Sequence, residues 1–418
     1  MKIIKIPLII VIIVLFVGVY LCIDKSIADK KKVLQAHINI EKHIKEHYNT
    51  YVKTNKETDL YKLKNDTYIK VGKINKDVEL VLEKQTIKYS NLYFKIISLN
   101  SEYYIFYQDV TKIDNMSEVN DRFKKYIPYN KNVVTKEKIT LYDKNNKEIF
   151  TIPEELDAPI IVDKDNFYGI EYKNKLVFIK NNDIKEIKEN NNTDKKNTSG
   201  IAVLNYHFFF DASNPNDSCN QGICLSTQLL KNHLSYIKNN DIFTPSMKEL
   251  EMYIDGYIQL PKSVVLTIDD GWRAGIGSKI IAEYKLNATI FLMSKYYDPR
   301  NYQNEYIEVH SHGHDIHNPG VCPGGQGGAI KCLEKSKLLE DLKSSKEKLN
   351  NTTYFCYPFY EYNDYSIEVL KEAGYTMAFG GQNEGGYTKV YPGINKYKIP
   401  RYVIMNYTTA NDVASYIG

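Results

Sequence analysis

The residues best suited to chemistry form two groups, Leu266-Thr267-Ile268-Asp269-Asp270-Gly271 and His310-Ser311-His312-Gly313-His314-Asp315-Ile316-His317, the second holding four of the chain's nine histidines in eight positions. Two adjacent carboxylates at the end of an apolar run repel each other and lose hydration, a cost that a cation or a shared proton relieves. Neutral imidazole and carboxylate suit zinc and similar divalent ions, and a site with three protein ligands keeps one position open for water. That is the layout of a metal-dependent hydrolase. An Asp-Asp-Gly triplet alone is a common turn; it gains meaning here from the apolar strand before it and the histidines after it.

These groups must be carried by something rigid. Beyond residue 200, strand-like apolar runs at 203–206, 264–268, 289–293, 307–309, 354–357 and 376–379 alternate with helical patterns at 227–239, 276–284, 334–349 and 366–373. Strand-helix alternation predicts a parallel α/β sheet or barrel.

Thr267-Ile268-Asp269-Asp270-Gly271, the histidine cluster and Phe355-Cys356-Tyr357-Pro358-Phe359-Tyr360-Glu361-Tyr362 resemble, in order and spacing, the first three motifs of the polysaccharide deacetylases, the NodB-homology or carbohydrate esterase family 4 enzymes. Val203-Leu204-Asn205-Tyr206-His207 and the lead-in Leu260-Pro261-Lys262-Ser263 make the resemblance closest to the branch that deacetylates poly-β-1,6-N-acetylglucosamine. It covers roughly residues 200–410 and implies a distorted (β/α) barrel whose motifs converge on one mouth.

The resemblance also implies roles. Asp270 becomes a metal ligand and Asp269 the general base. His312 and His317 fit the branch's longer ligand spacing, whereas His310 and His314 fit the general family's shorter one; the first pair is preferred. General members take their acid from a histidine near the C-terminus, but none follows His317, so the acid falls to His207. The backbone N–H of Phe359 becomes the oxyanion donor, and Trp272, Tyr357 and Pro358 the substrate-binding residues, although Trp272 could equally be packing. Cys356 stands where the family has an arginine that orients the base, and no fourth motif is visible; Arg401 is a candidate substitute, or else a surface ion pair. The implied cofactor is a divalent metal: zinc, with cobalt or nickel as alternatives. The implied substrate is an extracellular N-acetylglucosamine polysaccharide, with peptidoglycan as the rival and a catalytically inactive wall- or glycan-binding protein as the reading from another class.

The first half is read from pattern alone. Residues 6–23 form an uncharged apolar run long enough to cross a bilayer, which predicts a transmembrane anchor over 1–25, a single-pass cell-membrane location and an extracellular catalytic domain. A charged, Gly- and Pro-free stretch predicts a juxtamembrane helix over 26–60, with His37, His43 and His47 on a solvated face. Short Tyr-, Ile- and Val-rich runs over 61–187 predict β-rich, SH3-like modules, and 188–200 reads as a linker before a catalytic domain over 201–418. A net charge of +4 on 418 residues implies no nucleic-acid partner. Cys219 with Cys224, and Cys322 with Cys332, are close enough in sequence for two short disulfides or four free thiols, while Cys356 lies in a buried strand.

Overall fold

The computed structural model of this protein describes residues 24–36, 38–40, 42, 51–82, 92–96, 102–114, 121–165, 167–172 and 175–418. The chain divides into two compact units, one made of Met1–Asp121, Val133–Ala158 and Ile170–Lys188, the other of Arg122–Asn132, Pro159–Gly169 and Glu189–Gly418.

The second unit is built on seven parallel strands: β1 (Ala202–Tyr206), β2 (Val264–Ile268), β3 (Ala288–Leu292), β4 (Ile307–Ser311), β5 (Tyr354–Cys356), β6 (Met377–Phe379) and β7 (Tyr402–Val403). They lie in the order β6-β5-β4-β3-β2-β1-β7. Every residue of β1, β2 and β3 is buried, which is why they read as continuous apolar runs and not as alternating ones. Phe379 in one edge strand also bridges Ile399, just before the other edge strand, so the sheet curls to a near-barrel. Helices α1 (Thr227–Asn239), α2 (Met247–Ile254), α3 (Ala274–Glu283), α4 (Lys335–Lys348), α5 (Asp364–Glu372) and α6 (Ala410–Ile417) complete the unit. Side-chain caps at Ser226, Ser246, Asn363 and Thr409 fix where α1, α2, α5 and α6 begin.

Period-two alternation sorts β1. Leu204 and Tyr206 join the core with Leu230 and Leu234 of α1, leaving Asn205 and His207 for the opposite side. The one polar group that α1 buries in this core is His233, whose Nε2 lies 3.0 Å from the Thr408 carbonyl and whose Nδ1 lies 3.2 Å from the Tyr206 hydroxyl. A carbonyl only accepts, so Nε2 carries the proton and the ring is satisfied as the neutral form. Burial lowers its pKa, as it does for His207. At these two rings the folded state therefore binds fewer protons than the unfolded one below about pH 6.5, and the stability they contribute is lost as pH is lowered through that value. Urea unfolding midpoints at pH 7.5 and 5.5 should show this loss, and His233→Phe should reduce the difference between them.

The first unit corrects the expectation of SH3-like modules, because none is indicated among the described residues. Strands far apart in sequence share one antiparallel sheet: Thr67–Ile74 pairs on one side with Thr58–Lys64 and on the other with Glu148–Ile152, through Thr58↔Ile74 and Phe150↔Ile74. Thr58–Lys64 also pairs with Tyr103–Phe106, and Glu148–Ile152 with Ile139–Tyr142. Local alternation marks strands but says nothing about which distant strand each will pair with.

The membrane expectation is also corrected. Its apolar run at residues 6–23 lies outside the described residues, and among those described no helix is long and apolar enough to cross a membrane. The helix described over 24–36 carries Asp24, Lys25, Asp29 and Lys30 to Lys32 and is exposed along its length. A bilayer core demands about 20 consecutive apolar residues, which this helix lacks. The transmembrane helix, the membrane partner and the single-pass location are accordingly not retained.

Candidate active site

Parallel register gathers the site at the C-terminal ends of the strands. Tyr206 faces Ile268 across β1 and β2, and the Asp269 N–H donates to the Tyr206 carbonyl at 3.0 Å, which sets His207 beside Asp269. Across β3 the Met293 N–H donates to Asp270, and the His312 N–H donates to Leu292. The turn after β2 is tight: Asp270 has φ 71° and Gly271 φ 109°. A Cβ at Gly271 would stand 2.7 Å from Leu292 and Tyr297, so only glycine lets the two carboxylates turn into the mouth.

Among the described residues two groups offer three ligand atoms within 4.8 Å of one another: Asp270, His312 and His317, and Asp269, His312 and Cys356. The first fits a divalent ion. Nε2 of His312 and Nε2 of His317 each lie 3.2 Å from Asp270 Oδ1. The other nitrogen of His312, Nδ1, is 2.9 Å from the Cys356 carbonyl and must donate there, which fixes the ring so that in its neutral form Nε2 is the nitrogen able to ligate. The second group does not fit. The Arg401 guanidinium stands 2.8 and 2.9 Å from the Asp269 oxygens and 3.0 Å from Cys356 Sγ, filling the place with positive charge. Burial also pushes the Cys356 thiol up, away from the thiolate that a metal needs.

Arg401 is fully buried and grips Asp269 with both terminal nitrogens, so it is not a surface ion pair. Burial alone would raise the Asp269 carboxyl, but Arg401, helped by His312 and His207, holds the group below the usual carboxylate range. Asn205 Nδ2 adds a hydrogen bond to Asp269 Oδ2 at 3.2 Å. His207 Nε2 lies 4.0 Å from the same oxygen, and burial lowers the His207 pKa, so the ring is neutral at neutral pH.

The remaining candidates fall in different places. His310 bonds Thr352 and Glu308, and His314 bonds Ser294, so neither enters the three-ligand group. The Phe359 ring lies 4.3 Å from that of His317, in a loop where its backbone has φ 58°. Trp272 is 43% exposed and packs edge-on against Phe208. Tyr357, in contrast, is fully buried, stacked on Tyr362 with its hydroxyl on the Tyr397 carbonyl, and Pro358 is buried beside it. Both side chains are turned into the core, and of the three expected substrate-binding residues only Trp272 is exposed.

Sequence reasoning missed Asn205, Tyr360 and Asp341. Strand alternation in β1 was the available signal for Asn205, since it shares a face with His207. Asp341, on α4, accepts the N–H groups of His314 and Asp315 at 2.8 and 2.6 Å, and so ties down the turn between His312 and His317. Asp341→Ala should loosen that turn and weaken metal binding by roughly 10–100-fold, the usual cost of losing a group that orients ligands. Titration of the protein against a competing chelator measures this directly.

Residues 258–378 match the family model described as polysaccharide deacetylase. Among solved structures the chain is similar to a de-N-acetylase from Aggregatibacter actinomycetemcomitans, at 22% identity over 52% of this chain and 99% of that one, with a TM-score of 0.44. It is similar to IcaB from Ammonifex degensii at 20% identity over 52% and 97%, TM-score 0.44. A polysaccharide deacetylase from Bacillus cereus covers more of the chain, 81% against 99% of its own length, at 15% identity and a TM-score of 0.43. No curated protein matches this chain. The matched segment is homologous, at low identity, to the polysaccharide deacetylases, and with the Asp270, His312 and His317 group it supports hydrolase activity on amide bonds.

Proposed function

We propose that the chain is a metal-dependent N-deacetylase that removes acetyl groups from the N-acetylglucosamine residues of poly-β-1,6-N-acetylglucosamine. The observation that carries this reading is a histidine just past the end of β1, His207, next to Asp269 in a sequence with no histidine after His317. Asp270, His312 and His317 would hold the cation, for which zinc, cobalt and nickel all suit the donors. When bound, a divalent ion there supplies Lewis acidity toward the amide carbonyl and a water acidic enough to attack near neutral pH.

The chain's own groups do the rest. Asp269, kept ionised by Arg401, accepts the proton of the attacking water. His207 is neutral and close to Asp269, so it can take that proton on and give it to the departing amine. The Phe359 N–H faces the oxyanion, and Trp272 stacks on a sugar ring. Peptidoglycan is the competing substrate, and the two are separated by comparing acetate release from β-1,6-linked N-acetylglucosamine oligomers and from purified peptidoglycan. Chelation should stop release and added zinc, cobalt or nickel restore it. Absence of release from the β-1,6 oligomers, with release from peptidoglycan, would replace the substrate assignment. His207→Ala should lower kcat by roughly 10²–10⁴-fold with metal content unchanged.

A further inference from the structure

Tyr360 sits in a conformation that a tyrosine resists. It follows Phe359, and both have left-handed backbones, with φ 58° and 60°. A Cβ makes that region costly, two bulky residues in succession double the cost, and glycine would remove it. The surroundings are shaped to keep the tyrosine regardless. Gly381 lies against it so closely that a Cβ there would stand 3.2 Å from Tyr360 Cβ and Cγ. The ring meets His207 edge to face at 6.4 Å between centroids, and the Arg401 guanidinium lies over it at 5.4 Å.

The reason for the tyrosine lies in its hydroxyl. Asn205 Nδ2 donates to it at 3.0 Å, and His207 Nε2 lies 3.2 Å away. With one lone pair taken by Asn205, the hydroxyl can donate its own proton to the neutral imidazole. When the imidazole is protonated at Nε2, the same oxygen can turn and accept from it. A hydroxyl is one of the few side-chain groups able to follow a proton in this way; phenylalanine would fill the space and do neither. We propose that Tyr360 is a positioning residue for His207, its hydroxyl holding Nε2 toward Asp269 through both protonation states, and that its left-handed backbone is retained for this contact. The assignment rests on the deacetylase reading through the role given to His207.

The test uses the full chain with Tyr360→Phe, His207→Ala and the double variant. Tyr360→Phe should lower kcat by about tenfold, with KM and metal content unchanged, as expected for a group that orients another. In the His207→Ala background the same change should have no further effect, because a residue that acts through His207 has nothing left to act on. Ring ¹⁵N spectra of histidine-labelled, metal-free protein give a readout independent of activity. The His207 signal, identified by its loss in His207→Ala, should report a different tautomer balance in Tyr360→Phe from that in the wild type. A kcat within twofold of wild type, an additive loss in the double variant, or an unchanged tautomer would each overturn the inference. If His207→Ala itself keeps wild-type kcat, the role of His207 fails instead, and the two failures are thereby distinguished.

Discussion

Asp270→Ala is expected to remove metal and activity together. Asp270 Oδ1 lies 3.2 Å from both ligand nitrogens and is the charged member of the group, so without it two imidazoles remain. Polarisation by a bound cation is worth several kcal/mol, so kcat/KM should fall by at least about 10³-fold. Metal content by mass spectrometry should drop to background in the same preparation. Because Asp270 adopts φ 71°, alanine adds backbone strain, and Asp270→Asn is the better control: asparagine tolerates that conformation and removes only the charge. Stoichiometric metal in Asp270→Asn together with full acetate release would remove Asp270 from the site.

Arg401→Met should cost more stability than any other single change at the site. It would leave the Asp269 carboxylate buried without its counter-charge, and breaking one side of such a pair costs about 3–5 kcal/mol. The pH dependence has a definite sign. In the wild type the Asp269 carboxyl is held below its unfolded value of about 3.9, so its contribution is present above that pH and is lost on further acidification. In Arg401→Met the largest opponent of burial is gone, leaving only His312 and His207 against it, so the carboxyl rises from its depressed value. The deficit is then largest at neutral pH and shrinks as pH falls toward the raised value. Urea unfolding of both proteins at pH 7.5 and 5 measures it, and a difference below about 1 kcal/mol at pH 7.5 would show that the pair is not what keeps Asp269 charged. Activity should fall as well, since a protonated Asp269 cannot accept a proton from water. Arg401→Lys, with one ammonium in place of the two-pronged guanidinium, should fall between.

Much of the candidate site was legible because its parts are local in sequence. Asp269 and Asp270 end one apolar run and the four histidines crowd one short segment, so residue type marked the candidates, and the family resemblance then preferred Asp270, His312 and His317, the group that the structure brings within 4.8 Å. The buried parallel strands were legible for a related reason: burial on both faces leaves continuous apolar runs such as Val264 to Ile268. Other features depended on register between distant segments, and there sequence was silent. Arg401 grips Asp269 across 132 positions because β7 pairs with β1, Tyr402 facing Leu204, and no local pattern distinguishes that outcome from a solvent-exposed arginine. The same limit hid the pairing of Thr67–Ile74 with Glu148–Ile152, since a strand's alternation shows which face is buried and not which partner it meets. It also hid Tyr357, whose place in the motif suggested substrate contact until the turn at Phe359 sent its ring into the core. By itself, then, the sequence determined the ligand types, their spacing and the strands that carry them, because these follow from neighbours along the chain. Only the tertiary structure decided which arginine holds Asp269, which tyrosine reaches His207 and which aromatic stays exposed, because those contacts exist only once parallel register has closed the sheet.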